Sequence, residues 1–473
     1  MRQRILLPLI VACALFMENL DSTVLSTALP AIAEDFGQSP IHLKLALTSY
    51  LLALAVFIPA SGWLADRFGT RTVFRLAIAV FTLGSIACGL SSSIPELVAA
   101  RVVQGIGGSM MMPVGRLVIL RSVPKNELVG ALAWVTVPAL IGPVIGPPLG
   151  GFITTYFEWR WIFWLNVPVG ILGLFLATLY LPDIRGEQRS SFDGLGFMLS
   201  ALGLALFMTG STTLGLHLIP GAYVAAMLVA GAALLATYVA RSRRVENPII
   251  DLSLLRIPTM RASLAGTMLF RIGVGATPFL LPLMLQLGFG MSPLESGMIT
   301  FAAAIGAIAM KFAAPPILRR LGFRTVLIVN AFIAGAFVML PAAFTPATPV
   351  TLMVTLLLIG GFFRSLQFTS TNALAFADVP AEQMSRATTL TSVAQQLSLS
   401  IGISIGAIAL ELTVAAGGEA ISAASFAPAF VAVGLLTMLS ALPYTMLARH
   451  AGREVSGHNP PAPDPVTAMR DRG

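Results

Sequence analysis

Gly62-Trp63-Leu64-Ala65-Asp66-Arg67-Phe68-Gly69-Thr70-Arg71 is a dense Asp/Arg/Gly turn in a chain that otherwise avoids charge. Apolar runs flank it, so the turn joins two hydrophobic helices. A degenerate copy, Arg319-Arg320-Leu321-Gly322-Phe323-Arg324-Thr325-Val326, lies 253 residues further on, with Arg319 in the place of Asp66. A second pair, Val123-Pro124-Lys125-Asn126-Glu127 and Val379-Pro380-Ala381-Glu382-Gln383, repeats at an offset of 256 residues. Self-similarity at a near-constant period marks a duplicated unit.

Composition places that unit in a membrane. The chain has 473 residues, 56% hydrophobic and only 11% charged, against about 25% charged in soluble domains. Apolar runs of about 20 residues, enough to cross a ~30 Å hydrocarbon core, recur near 5–28, 43–64, 72–90, 96–120, 129–153, 161–181, 194–214, 221–240, 262–285, 296–316, 325–343, 350–376, 387–411 and 425–447. The expectation is an all-α membrane protein with 14 transmembrane helices: two six-helix halves plus two inserted spans. Residues 1–182 form the N-terminal half, 183–260 a linker with the inserted pair, 261–449 the C-terminal half and 450–473 a disordered, Pro-rich tail. The seventh and eighth spans carry no Asp, Glu, Lys or Arg from Gly194 to Ala240, as suits a lipid-facing hairpin. Met1-Arg2-Gln3-Arg4 and the run behind it read as the first span, since no small-residue cleavage site follows.

An even span count puts both termini on one side. Arginines and lysines crowd the segments on that side, from Arg2 and Arg4 through Arg67, Arg71 and Arg75 to Arg449 and Arg453, while the other side has little beyond Lys44 and Arg160. The positive-inside rule then makes both termini cytoplasmic in a multi-pass protein of the inner (plasma) membrane. The formal charge of +8 is thus a topology signal and points to a lipid bilayer, not to nucleic acid. Cys13 and Cys88 lie inside apolar runs and make neither a disulfide framework nor a zinc site. No HExxH pair and no GxxxxGK[ST] loop occurs, so metalloprotease and ATP-driven chemistry are not expected.

Two six-span halves joined by a Gly-x-Leu-Ala-Asp-Arg-x-Gly-x-Arg loop resemble the major facilitator superfamily. Further motifs follow in order. Leu20-Asp21-Ser22-Thr23-Val24 in span 1, Arg101-Val102-Val103-Gln104-Gly105 in span 4 and Gly142-Pro143-Val144-Ile145-Gly146-Pro147-Pro148-Leu149-Gly150-Gly151 in span 5 are similar to motifs of its 14-span drug:proton antiporters. Trp159-Arg160-Trp161 with Asn166-Val167-Pro168 is similar to their span 5–6 junction. Met112-Pro113-Val114-Gly115-Arg116 and Arg271-Ile272-Gly273 resemble the MdtD-like multidrug transporters within that family. The resemblance implies a monomeric, non-enzymatic efflux transporter with no cofactor, in which a proton gradient drives a small-molecule substrate outward. It also implies that Gly62, Asp66, Arg67, Gly69 and Arg71 form a gating latch between the halves. The span-5 motif, Gly142, Pro143, Gly146, Pro147, Gly150 and Gly151, would be a hinge and seal.

Physical readings stand beside these. An Asp before a helix can cap free N–H groups and favour the positive dipole end, so Asp66 is a candidate cap, and the loop a mere topology signal. Gly142, Gly146 and Gly150, spaced by four, make a helix face that a neighbour can approach closely; plain packing explains them equally well. Ionisable groups inside a span are costly and face a cavity or a partner. Glu18 and Asp21 share one helix face. Asp21 lies about seven residues, roughly 10 Å, from the span's end, and Arg101 reaches a similar depth, so an Asp21–Arg101 pair is expected. Glu18, one turn deeper, suits a proton carrier or a cationic substrate, or else neutralises nearby arginines. Arg116, Arg271, Lys311 and Arg364 leave an excess of intramembrane cations, and Asn372 follows on the polar face of span 12. That excess favours anionic ligands and supports an alternative substrate class, small organic anions such as metabolite carboxylates.

Overall fold

The computed structural model describes residues 2–122, 128–185, 192–214, 219–380, 383–417, 421–448 and 451–456, with side chains left undescribed at some helical positions, Pro143 among them. The Val123–Glu127 loop, part of its partner loop and most of the tail fall outside the described residues. Among the described residues every regular element is a helix.

Among the described residues thirteen helices are long and apolar enough to cross a membrane. In chain order they are α1 (Leu7–Asp35), α2 (Pro40–Phe68), α3 (Thr70–Leu90), α4 (Ile94–Ile119), α6 (Trp161–Tyr180), α7 (Gly194–Thr213), α8 (Gly221–Ser242), α9 (Pro258–Gly288), α10 (Pro293–Ala314), α11 (Pro316–Ala343), α12 (Val350–Ala375), α13 (Arg386–Ala416) and α14 (Ala423–Thr445). The 29-residue helix Leu128–Tyr156, α5, occupies the place expected of the remaining span.

The duplication is written into the backbone. Gly69 (φ 91°, ψ 142°) separates α2 from α3, and Gly322 (φ 72°, ψ 161°) breaks the helix at the matching place, near the start of α11. A positive φ of this kind strains any residue with a Cβ, which explains why glycine stands at both turns. At Gly69 a Cβ would also overlap the Asp183 carboxylate.

Close backbone approach defines the rest. α5 lies against α1 along its glycine face: a Cβ at Gly146 would overlap Thr23, and one at Gly150 would overlap Thr27 and the Val24 carbonyl. Gly142 meets α1 one turn earlier, at Phe16 and Leu20. The second half repeats the arrangement, with Gly402 of α13 against the Ile272 carbonyl of α9 and Gly406 against Ala276. The two halves meet where Gly151 of α5 abuts Pro293 and Leu294 of α10, while Gly297 abuts the Pro147 carbonyl. Leu294 N–H donates to Thr155 Oγ1 (3.1 Å), and Gln286 Nε2 to the Thr27 carbonyl (3.0 Å), across the same junction. The halves are therefore closed together at the end of the bundle away from the Gly62–Arg71 turn.

The uncharged pair α7–α8 packs as a hairpin, with α7 against α2 and α13 and α8 the least buried of the spans. Asp193 caps α7 through Gly196 N–H and pairs with Arg241 at 2.7 Å, pinning both ends of the hairpin at one point.

Candidate functional site

Two sites emerge from the residues singled out by sequence. The first lies inside the N-terminal half. α1 runs on to Asp35, so Asp21 sits near the middle of its helix instead of about seven residues from the end. Its side chain and that of Arg101 are each 1% exposed, and Arg101 Nη1 donates to Asp21 Oδ2 at 2.5 Å. Asp21 Oδ1 accepts from Gln104 Nε2 (2.8 Å) and from Asn166 Nδ2 (2.9 Å). Both amides also donate to Ser85 Oγ, and Arg101 Nε reaches the Ala46 carbonyl (3.2 Å). The guanidinium lies 4.3 Å from the centroid of the Tyr50 ring. Four helices of one half thus converge on one carboxylate. Charge-assisted bonds of this kind are short and strong, and a buried ion pair tolerates desolvation only when its remaining bonds are also made. Here they are.

The depth argument found the Asp21–Arg101 pair; Gln104, Asn166, Ser85 and Tyr50 were missed as participants. A signal existed for Gln104, three residues after Arg101 and hence on the same helix face. Glu18 lies one turn from Asp21, and its Oε2 is buried without a hydrogen-bond partner, as is the Tyr50 hydroxyl.

The second site is a cavity of 850 Å³ bounded mostly by the C-terminal half. α9 contributes Arg271, α10 Lys311 and α12 Arg364; α1 and α5 close the wall with Thr23, Ser26 and Pro147. The Arg271 guanidinium rests over the Phe368 ring at 4.5 Å, and its Nε is buried with no hydrogen-bond partner. Lys311 Nζ donates to Thr369 Oγ1 (2.9 Å), and Ser365 Oγ ties α12 to the Ala307 carbonyl of α10. The remaining wall is largely apolar, with Phe337, Phe368, Ile308 and Leu281 among its members.

The residues grouped by sequence therefore separate. Arg271, Lys311 and Arg364 line the cavity; Glu18, Asp21 and Arg101 do not. Arg116 is exposed on α4, and Asn372 is exposed and accepts from Gln395 Nε2 at 3.4 Å, both outside the cavity lining.

Two readings are corrected, those of Asp66 and Lys44. Asp66 lies in the last turn of α2, not before α3, whose N-cap is Gly69 without a side-chain cap. The turn's described bonds run to the segment of chain leaving the N-terminal half: Arg71 Nε donates to the Leu181 carbonyl, Thr70 Oγ1 donates to the Pro182 carbonyl, and Thr70 exchanges bonds with Ile184. Gly62 has open space around it, so nothing steric demands a glycine there. Lys44, placed by sequence at a loop edge, is fully buried on α2, with the Glu411 carboxylate of α13 as its electrostatic partner across the two halves. Glu411 had been overlooked because it falls at the end of an apolar run.

Two helical halves, a buried ionic network in one and a cavity closed at one end between them, define a membrane transporter. The family model of the Major Facilitator Superfamily matches residues 11–193 and 253–472, and the chain belongs to that family. The unmatched stretch contains the α7–α8 hairpin. A relative from Salmonella heidelberg (strain SL476), "Putative multidrug resistance protein MdtD", is 39% identical over 404 residues, 85% of each chain. A relative of the same name from Pectobacterium carotovorum subsp. carotovorum (strain PC1) is 40% identical over 85% of this chain and 86% of its own. Among solved structures the D-xylose-proton symporter superposes with a TM-score of 0.68 at 14% identity, covering 94% of this chain and 98% of that one. That likeness is one of fold.

Proposed function

We propose that the protein is a proton-coupled efflux transporter, a drug:proton antiporter that exports small amphipathic compounds by alternating access. The observation that carries this reading is the separation of its two sites. A carboxylate held by Arg101, Gln104 and Asn166, with Glu18 and its buried, unpartnered Oε2 one turn away, supplies groups for proton movement. A mostly apolar cavity, apart from that network, supplies room for a substrate. Its 850 Å³ suits a drug-sized molecule. The relatives' multidrug resistance name supports the same direction of transport.

In this reading the chain works as a monomer in the inner membrane with both termini cytoplasmic, and a proton gradient is its only energy source. It has no catalytic role. The junction of α5 with α10 then seals the outer side and leaves the cavity to the cytoplasm; the Gly62–Arg71 turn lies on the cytoplasmic side. Asp21 releases Arg101 when it takes up a proton, so protonation and the packing of α1 against α4 change together. The test is flux of a lipophilic dye in proteoliposomes under an imposed pH gradient. Wild-type protein should show gradient-driven transport with substrate-induced proton movement. Coupling that survives in both Glu18→Gln and Asp21→Asn overturns the assignment.

A further inference from the structure

We infer that the cavity between the halves selects amphipathic organic anions, binding an acid head group at Arg271 and Arg364 and the carbon skeleton along Phe337, Phe368 and Ile308. The inference deepens the exporter reading and rests on it for direction only. Three cationic side chains line the cavity, and among the described residues no Asp or Glu does. Arginine stays protonated in any protein environment, and a buried charge without a counter-ion is costly. The protein does not supply that counter-ion among the described residues. Asp21 is held by Arg101, Gln104 and Asn166 in the other half, and among the described residues no ion pair involves Arg271 or Arg364. Arg271 Nε is buried and unpartnered.

Geometry converges on the same point. Arg364 and Phe368 are four residues apart on α12 and so share a face; Arg271 stacks on Phe368 from α9. The two guanidinium groups thus flank one wall, where a planar carboxylate or sulfonate can accept paired N–H bonds. Lys311, held by Thr369, adds a third positive charge on α10. The rest of the lining is hydrocarbon, which disfavours a hydrophilic polyanion and suits an aromatic or alkyl monoanion. A cation of the same skeleton would meet three like charges and no acid.

The test uses 4-phenylbutyrate, 4-phenylbutylammonium and citrate with the full chain, in binding by calorimetry in detergent and in proteoliposome flux. Expected is saturable binding of 4-phenylbutyrate, weakened roughly tenfold to a hundredfold in Arg271→Gln and in Arg364→Gln, and partly kept in Arg271→Lys. Citrate and 4-phenylbutylammonium should bind far more weakly. Circular dichroism and thermal unfolding of each variant confirm that it is folded, and Arg271→Lys keeps the test valid should a Gln variant misfold. Binding of the ammonium compound in preference to the carboxylate, binding of neither, or 4-phenylbutyrate binding unchanged in both Gln variants overturns the inference. Anion binding without gradient-driven flux sinks the exporter reading and leaves this one standing. Gradient-driven flux of the ammonium compound that persists in Arg271→Gln does the reverse.

Discussion

The two halves answer the same problem, polar groups inside a membrane, in opposite ways. In the N-terminal half α1, α3, α4 and α6 bring together Asp21, Ser85, Arg101, Gln104 and Asn166, a charged cluster whose bonds are made. In the C-terminal half the corresponding helices carry a neutral cluster. Asn330 of α11 donates to Gln367 of α12 (2.8 Å) and to the Phe363 carbonyl; Thr371 bonds Tyr444 of α14 (3.0 Å). The cations of that half stand instead in the cavity. The two clusters do not sit at matched positions: Asn330 lies much closer to Gly322 than Ser85 does to Gly69, so the halves are pinned by polar groups at different depths and only one set carries charge. One half holds an internally balanced pair, the other an unbalanced set of cations facing the cavity.

The comparison breaks most visibly at Asp21. Asp21→Ala leaves Arg101 buried and unpaired, which should cost about 3–5 kcal/mol, read as a large drop in thermal unfolding temperature in detergent together with lost transport. Combining Asp21→Asn with Arg101→Gln makes the first half's cluster neutral like the second's. Stability should recover in large part, while proton-driven transport stays absent; recovered transport would show that charge is dispensable there.

Next in size is the glycine junction between the halves. Gly151→Leu places a side chain against the Pro293 and Leu294 backbone, and should abolish gradient-driven flux with the protein still inserted, as checked by membrane fractionation. Gly62→Ala, in open space, should change stability by less than about 0.5 kcal/mol.

In the neutral cluster Asn330→Ala removes bonds to Gln367 and Phe363 and should cost about 1–3 kcal/mol, less than the Asp21 change, in the same unfolding assay. An equal cost would mean that the charge in the first half adds nothing to stability.

The smallest effect is expected outside the membrane, where Asp251 accepts from Ser253 and pairs with Arg386 at 3.1 Å. Burial pushes the Asp251 carboxyl up, but bonds from Ser253 and Arg386 outweigh it and hold the group below the ordinary carboxylate range. A depressed value stabilises the fold above that range, and the contribution disappears as pH falls through the folded-state value. Arg386 is 46% exposed, so solvent screening limits the pair to less than about 1 kcal/mol. Arg386→Gln should reduce the acid dependence of unfolding below about pH 4 and leave neutral-pH transport intact.

Much of this was legible in sequence because the membrane enforces long apolar runs and a glycine turn must reappear wherever the backbone needs positive φ. Gly69 and Gly322 located the duplication before any coordinates. Asp21 and Arg101 could be paired by depth because charged residues are scarce in spans. Gln104, Asn166 and Ser85 were not legible, since amides and hydroxyls in spans serve as often to pack helices as to hold a charge. The split between network and cavity was not legible either. It depends on which face of α4, α9 and α12 turns inward, and nearly uniform apolar helices carry little periodic signal for that. Lys44 and Glu411 escaped because each stands at the end of its run, where sequence alone does not say which side of the boundary it occupies.

The contact of α5 with α1 has a mechanical consequence. Gly142, Gly146 and Gly150 mesh with one helix, and Pro147 and Gly151 bear on α10. Backbones interlocked at a four-residue pitch act like a rack and its teeth. Slippage by a fraction of a residue is blocked, and the next register is about one turn, ~5.4 Å, away. Helices α1 and α5 must then travel as one stiff lever. A displacement at the carboxylate on one arm is then passed to the α5–α10 contact on the other, because α5 presents no side chains of its own at Gly142, Gly146 and Gly150 to absorb it.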